Sequence, residues 1–360
     1  MSNRRAFTLV ELLVVIALIG VLAGILLVAV GSATNSAQRS RTMATMNSVS
    51  AAIDGFVLEH GQLPGLIPAH LLGEGDVLSQ SQNVVLHLTG GARTYATYVN
   101  GAGEEVALDP AALAEYERFR DLPGTAPVEL TPISDGDLTY YVIYKSERFG
   151  EGPWIKGRPY PPYLAPKDDE VRFPDVSPGT YDPLTSGHND LPDVVDAWGQ
   201  PLLIFTRQRG NGPLITEHDH GDDDDTHTAQ FHQEGMCVYA AAATLGDKEA
   251  RQRQEDMSTG GKIGSRLAGA DEGGAADGER EHWLYLMLAH PTFTTLNAST
   301  FEGQPAGAYL LLSAGQDGIY LSHQDGPLLS NGQHNPSFAS MDFEDLEDFD
   351  DIRMAGGAVR

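Results

Sequence analysis

Two places in this chain carry residues whose types and spacing suit them to chemistry. One is Glu11, the single charge in an apolar run that extends from Phe7 through Val30. A carboxylate in a membrane helix costs roughly 2.5 to 3.5 kcal/mol on insertion scales, so it calls for compensation. Two routes are open: a shallow position from which it reaches the headgroups, or a positive group on a neighbouring copy. The free amine of a chain cut just before Phe7 would be such a group. The second place is His218-Asp219-His220-Gly221-Asp222-Asp223-Asp224-Asp225-Thr226-His227. Imidazole and carboxylate groups suit zinc or similar ions. Yet no helical spacing of the H-E-x-x-H kind joins them, and four consecutive aspartates repel one another, so a hydrophilic loop is the plainer reading.

No catalytic arrangement with specificity is present. The chain has no G-x-S-x-G elbow, no P-loop and no dinucleotide fingerprint, and an enzyme is not expected. Cys237 is the only cysteine, in Met236-Cys237-Val238-Tyr239, where it reads as a small strand residue. It excludes an intramolecular disulfide. A formal charge of -27 argues against nucleic acid as a partner, because phosphate binding needs basic surface. Acidity of this degree favours solubility or divalent cations instead.

The elements that must position Glu11 begin with the apolar run itself. Residues 7–30 are long enough to cross a hydrocarbon core of about 30 Å as a helix. Arg4 and Arg5 precede it, which places the N-terminus in the cytoplasm and the bulk of the chain outside. A twin-arginine or ordinary signal sequence, cut among the small residues before Gln38, is a competing reading, as is a plain anchor. Residues 31–60 lack proline, and within them Met46, Val49, Ile53, Phe56 and Val57 recur at steps of three and four. The helix is therefore expected to run on as an amphipathic half docked on a globular head, and to stop at Gly61 with Pro64 beyond.

In the head, Asp109 to Arg120 reads as a helix with Pro110 in its first turn, and Leu66 to Leu88 as loop plus a short helix. Thr139 to Tyr144 reads as a strand, and the glycine- and proline-rich stretch from 150 to 193 as irregular. Asp196-Ala197-Trp198-Gly199-Gln200-Pro201 reads as a turn leading into the apolar strand Leu202 to Phe205, with Trp198 as a packing residue. Ala308 to Leu312 is a second apolar strand, running into the turn Ser313-Ala314-Gly315-Gln316-Asp317-Gly318.

The stretch Arg4-Arg5-Ala6-Phe7-Thr8-Leu9-Val10-Glu11-Leu12-Leu13-Val14-Val15-Ile16 resembles the class III signal of type IV prepilins and type II secretion pseudopilins. The family usually has glycine where this chain has Ala6. The resemblance implies removal of a leader, residues 1–6, by cleavage between Ala6 and Phe7 by a prepilin peptidase. It further implies N-methylation of Phe7, and Glu11, fifth residue after the cut, pairing with a neighbour's amine in a filament. His60-Gly61-Gln62-Leu63-Pro64, Asp196 to Pro201 and Ser313 to Gly318 resemble, in order, segments of G-type (major) pseudopilins. The implied fold is α+β and pilin-like: a long N-terminal helix packed on a small antiparallel sheet. Residues 61–360 form its head, enlarged by loop insertions at about 69–193 and 207–300.

In such pseudopilins the loop after the second of these strands often closes around calcium, with an aspartate before an isoleucine. Here that implies a Ca2+ site with Asp317 and Asp351, or Asp350 in its place; the alternative is a solvated acidic tail. The implied function is a structural subunit of a type II secretion pseudopilus, anchored in the inner membrane with a periplasmic head. Its partners would be the prepilin peptidase, membrane lipid, other copies and related pseudopilins, and the inner-membrane secretion platform. A type IV pilin or minor pilin-like subunit is one alternative. A membrane-anchored or exported binding or enzymatic domain, whose start only mimics a prepilin, is the other.

Overall fold

The computed structural model describes residues 9–72, 78–124, 126–130, 132–172, 191–208, 212–215, 229–232, 267, 279–292, 301–322, 325–326, 328 and 344–357. The first helix, α1 (Leu9–His60), is one unbroken element of 52 residues, about 78 Å long at 1.5 Å per residue. It ends as the sequence predicts. Gly61 takes a left-handed φ of +71°, and its N–H closes the last turn on the Val57 carbonyl at 2.8 Å.

Among the described residues of α1 only the second half has a buried face. Thr42, Thr45, Met46, Val49, Ala52, Ile53 and Phe56 are buried at steps of one to four residues, the stripe that a 3.6-residue period places on one side. This stripe meets a three-stranded antiparallel sheet in the order β10 (Leu203–Thr206), β11 (Tyr309–Ser313), β12 (Ile352–Gly356). Strand alternation divides the sheet between two cores. Ile204, Leu311 and Ile352 join the core under α1, whereas Leu203, Phe205, Leu310 and Leu312 face a second core built on α4 (Glu279–Leu288). From Glu281 to Leu288 every residue of α4 except half-buried His282 is buried.

Between α1 and the rest of the head lies α2 (Gln80–Thr89), all ten residues of which are buried. Ser79 and Gln82 start it with a reciprocal capping box. Its buried polar side chains are partnered: Asn83 Oδ1 accepts from Leu66 and Ile67 N–H, and Ser81 Oγ accepts from Ile204 N–H. This satisfaction is what allows so polar a helix to sit inside.

Within the insertion at 69–193 stands a second antiparallel sheet. Its order is β2 (Glu105–Ala107), β1 (Ala92–Val99), β5 (Leu138–Tyr144), β3 (Val128–Glu129), with β4 (Ile133–Asp135) also on β5. Its central register pairs Ala92 with Tyr144 and Tyr98 with Leu138. One face rests on a core of Leu71, Leu72, Leu86, Leu130, Ile133, Val142 and Tyr144. On the other lies α3 (Pro110–Arg120), N-capped by Asp109, whose carboxylate accepts from Ala111 N–H. From 150 to 172 and 191 to 194 the chain is irregular as expected. Its only strands among the described residues are the short pairs β6 (Trp154–Ile155) with β7 (Arg158–Pro159) and β8 (Val171–Arg172) with β9 (Asp193–Val194).

Candidate functional site

The assembly segment occupies the free end of α1. Ala6 and Phe7 lie outside the described residues, and Glu11 falls at the third position of the helix. Leu12, Leu13, Val14, Val15 and Ile16 are each at least 44% exposed. Five consecutive residues point in all directions around a helix, so no side of this half is covered by the head. Leu18, Ile19, Val21, Leu22, Leu26 and Val30 continue the exposed apolar surface. Among the described residues no helix is long and apolar enough to cross a membrane. The expected span over residues 7–30 comes from the sequence.

The head first grips the helix at Asn35. Its side chain donates to Gln316 Oε1 at 2.9 Å, and Gln38 and Thr42 bond the Ala197 carbonyl and N–H. Arg41 pairs with Asp169. Further along, the Tyr309 hydroxyl, at the start of β11, meets Ser50 Oγ at 2.8 Å and Asp54 Oδ1 at 3.0 Å. Burial pushes the Tyr309 phenol up to about 12, against the Ser50 hydrogen bond and aided by the Asp54 carboxylate. The phenol therefore remains a donor at neutral pH and fixes the helix register on the sheet. Asp196 anchors the turn that holds Thr42. One of its oxygens accepts from Trp198 and Gln200 N–H, the other from Ser313 Oγ at 2.7 Å.

The second site lies where β11 runs out and β12 begins. Gly315 and Gly318 have φ of +68° and +74°, and a Cβ at Gly315 would stand 2.6 Å from the Asp350 carbonyl oxygen. Only glycine allows the turn to close so tightly on Asp350. Asp350 Oδ2 then accepts from Gln316 N–H (2.7 Å) and Asp317 N–H (3.0 Å), and Asp317 Oδ1 accepts from Ile319 N–H (2.8 Å). Asp317, Asp325 and Asp350 each present a carboxylate oxygen within 4.8 Å of the other two. Asp351 turns both oxygens toward Leu321 N–H and is not one of the three. Asp325, within a stretch that reads as intervening loop, had no sequence signature beyond the Asp-Gly pair it forms with Gly326.

The electrostatics of this turn ask for a positive charge. Burial, reinforced by Asp350, raises the Asp317 carboxyl to about 7, and burial raises Asp350 to about 6. Burial together with Asp350 and Asp317 raises Asp351 well above the carboxylate range. Asp350 Oδ1 and Asp325 Oδ2 are buried without a hydrogen-bond partner. Repulsion and orphaned acceptors of this kind are relieved by a proton or by a cation. Three carboxylates with no histidine or thiol among them suit a hard ion such as Ca2+, which takes oxygen ligands, rather than zinc. The residues present thus fit the calcium that the sequence resemblance implies.

His218, His220 and the aspartates between His220 and His227 lie outside the described residues, as does Cys237. Residues 1–27 match the family of the prokaryotic N-terminal methylation motif. Comparison with curated proteins and with solved structures finds no match. The helix that leaves the head bare on every side is the segment that carries this motif, and the chain is prepilin-like at its N-terminus, on an α+β head of pilin-like arrangement.

Proposed function

We propose that this chain is a structural subunit of a type II secretion pseudopilus. The observation that carries the reading is the apolar half of α1, exposed on all sides and joined to the methylation motif. A head that leaves the described apolar residues from Leu12 to Gly24, with Leu26 and Val30, uncovered needs an apolar surrounding for them, first lipid and then the helices of other copies. Prepilin peptidase cuts between Ala6 and Phe7, and the new Phe7 amine is methylated. The amine then pairs with Glu11 of a neighbour as the helix leaves the inner membrane for the filament, which relieves the cost of a carboxylate in an apolar surrounding. The head stands in the periplasm, and the inner-membrane secretion platform drives assembly.

Within this reading Asp317, Asp325 and Asp350 would hold Ca2+, whose two positive charges would offset most of their negative charge where β11 meets β12. The subunit's own groups do the mechanical work: Gln316 of that turn bonds Asn35, Ala197 holds Thr42, and Tyr309 locks Ser50 and Asp54. Load on the stem would enter the head through these contacts.

Intact mass and N-terminal sequencing of the chain expressed with and without a prepilin peptidase test the reading. A mature chain starting at methylated Phe7 is expected only when the peptidase is present. A start near Gln38, or an uncut Met1 in both cultures, overturns it.

A further inference from the structure

The second sheet has an end that the pseudopilin reading does not use. Period-two alternation and the register place Ala96, Tyr98, Val106, Leu108, Leu138 and Tyr140 on one face across β2, β1 and β5. Tyr98 stands opposite both Val106 and Leu138, and Ala96 opposite Tyr140, while Leu108 N–H bonds the Ala96 carbonyl at 2.8 Å. At the inner end the same face is core, with Ala92, Val142 and Tyr144 buried. At the outer end it is open: Tyr98 is 38% exposed, Val106 37% and Leu108 61%. Single exposed apolar residues are ordinary, but a cross-strand cluster continuous with a core face is an interaction feature. It also borders β2, the outermost strand of its sheet among the described residues, an edge along which an added strand can pair.

Charge narrows the partner. Neither 94–117 nor 121–144 contains a lysine, arginine or histidine. Glu104, Asp109 and Asp137, all exposed, lie beside the cluster: Glu104 in the β1–β2 turn, Asp109 after Leu108, and Asp137 bonded through its carbonyl to Val99 N–H. With a formal charge of -27 on the whole chain, a second copy would meet this edge with like charge. We infer that the open end of this sheet docks an extended segment of another polypeptide, one that alternates apolar and basic side chains. The apolar residues would cover Tyr98, Val106 and Leu108, the main chain would pair along β2, and the basic residues would meet the acidic rim.

The test uses the full chain in detergent and fluorescence anisotropy of three dye-labelled peptides, of alternating Lys–Val, Lys–Ser and Glu–Val sequence. The Lys–Val peptide is expected to bind saturably, and Leu108→Lys and Tyr98→Ser to weaken it by about tenfold at unchanged melting temperature. Should either variant melt early, Glu104→Gln with Asp137→Asn is the surface control, expected to weaken binding severalfold at low salt and little at high salt. Equal binding of Lys–Val and Lys–Ser would reduce the interaction to general attraction by an acidic protein and overturn the proposal. So would binding insensitive to all of these substitutions, or self-association of the chain that Leu108→Lys abolishes, which would make the edge a contact between copies.

Discussion

The two halves of α1 share one backbone and live by different rules. Up to Thr34 every described side chain is exposed and most are apolar; from Asn35 on, the helix turns polar and commits a single stripe to the head. In the second half burial is intramolecular, so stability and assembly part company along one helix. The stem half adds nothing to the stability of the isolated head, and the docked half is required for it.

Glu11→Ala should break the comparison most sharply. Filament assembly, scored by crosslinking or sedimentation of membranes, should fall to background while the head melts as before; assembly at the wild-type level would remove the pairing mechanism. Phe56→Ala empties a fully buried site against His60, His87 and Tyr163 and should cost about 3 to 5 kcal/mol in denaturant unfolding. Leu18→Ala, in the exposed half, should leave that transition unmoved. Equal losses would mean that the stem also packs on the head.

The third effect is pH-dependent and belongs to the head side of the docked half, where α2 sets His87 against Phe56. Burial lowers the His87 imidazole to about 4, with His60 adding to the shift. The Gly65 N–H donates to its Nδ1 at 2.8 Å, which requires that nitrogen to be unprotonated. A depressed histidine contributes stability that is complete above its unfolded value near 6.5 and is lost as pH falls toward 4, by up to about 3 kcal/mol. The raised carboxyls of Asp317 and Asp350 titrate in the opposite sense, destabilising the calcium-free head as pH rises from about 4 to their folded values of about 7 and about 6. The His87 contribution is therefore the difference between wild type and His87→Gln across pH 4 to 7, and a flat difference would show the ring to be solvated.

Calcium at a hundred times its dissociation constant should stabilise the head by about 2.7 kcal/mol at pH 8, and less as the acids protonate. No shift in melting between calcium and chelator would leave the acids paired with protons alone. The smallest effect is Tyr309→Phe, which removes the hydroxyl linking β11 to Ser50 and Asp54 and should cost about 1 kcal/mol. A larger loss would mean that helix register depends on this one contact.

Elements coded by neighbouring residues were legible. The helix Pro110–Arg120 follows from Asp109 and Pro110, the stripe from Met46 to Phe56 from its spacing, and the strand Tyr309–Ser313 from its apolar run before a glycine turn. Of the sheet inside 69–193 only β5 was legible, as Thr139 to Tyr144; its pairing was not, because β1 and β5 join residues some fifty positions apart, Ala92 with Tyr144, and β2 to β4 are only two or three residues long. Helix α4 has no legible shape in the sequence, since a helix buried nearly all round has no amphipathic period to read.

The candidate sites divide along the same line. Glu11 is conspicuous in sequence because one charge in an apolar run is a local fact, fixed by composition and independent of how the head folds. The sequence by itself determined the stem, its stop at Gly61 and the apolar strands β10 and β11, the second of which runs into the acidic turn. Which carboxylates meet there was decided only by the tertiary structure. Asp325 and Asp350 are 25 residues apart in the chain, and they converge on Asp317 because β12 pairs with β11 and Gly315 lets the backbone close on Asp350.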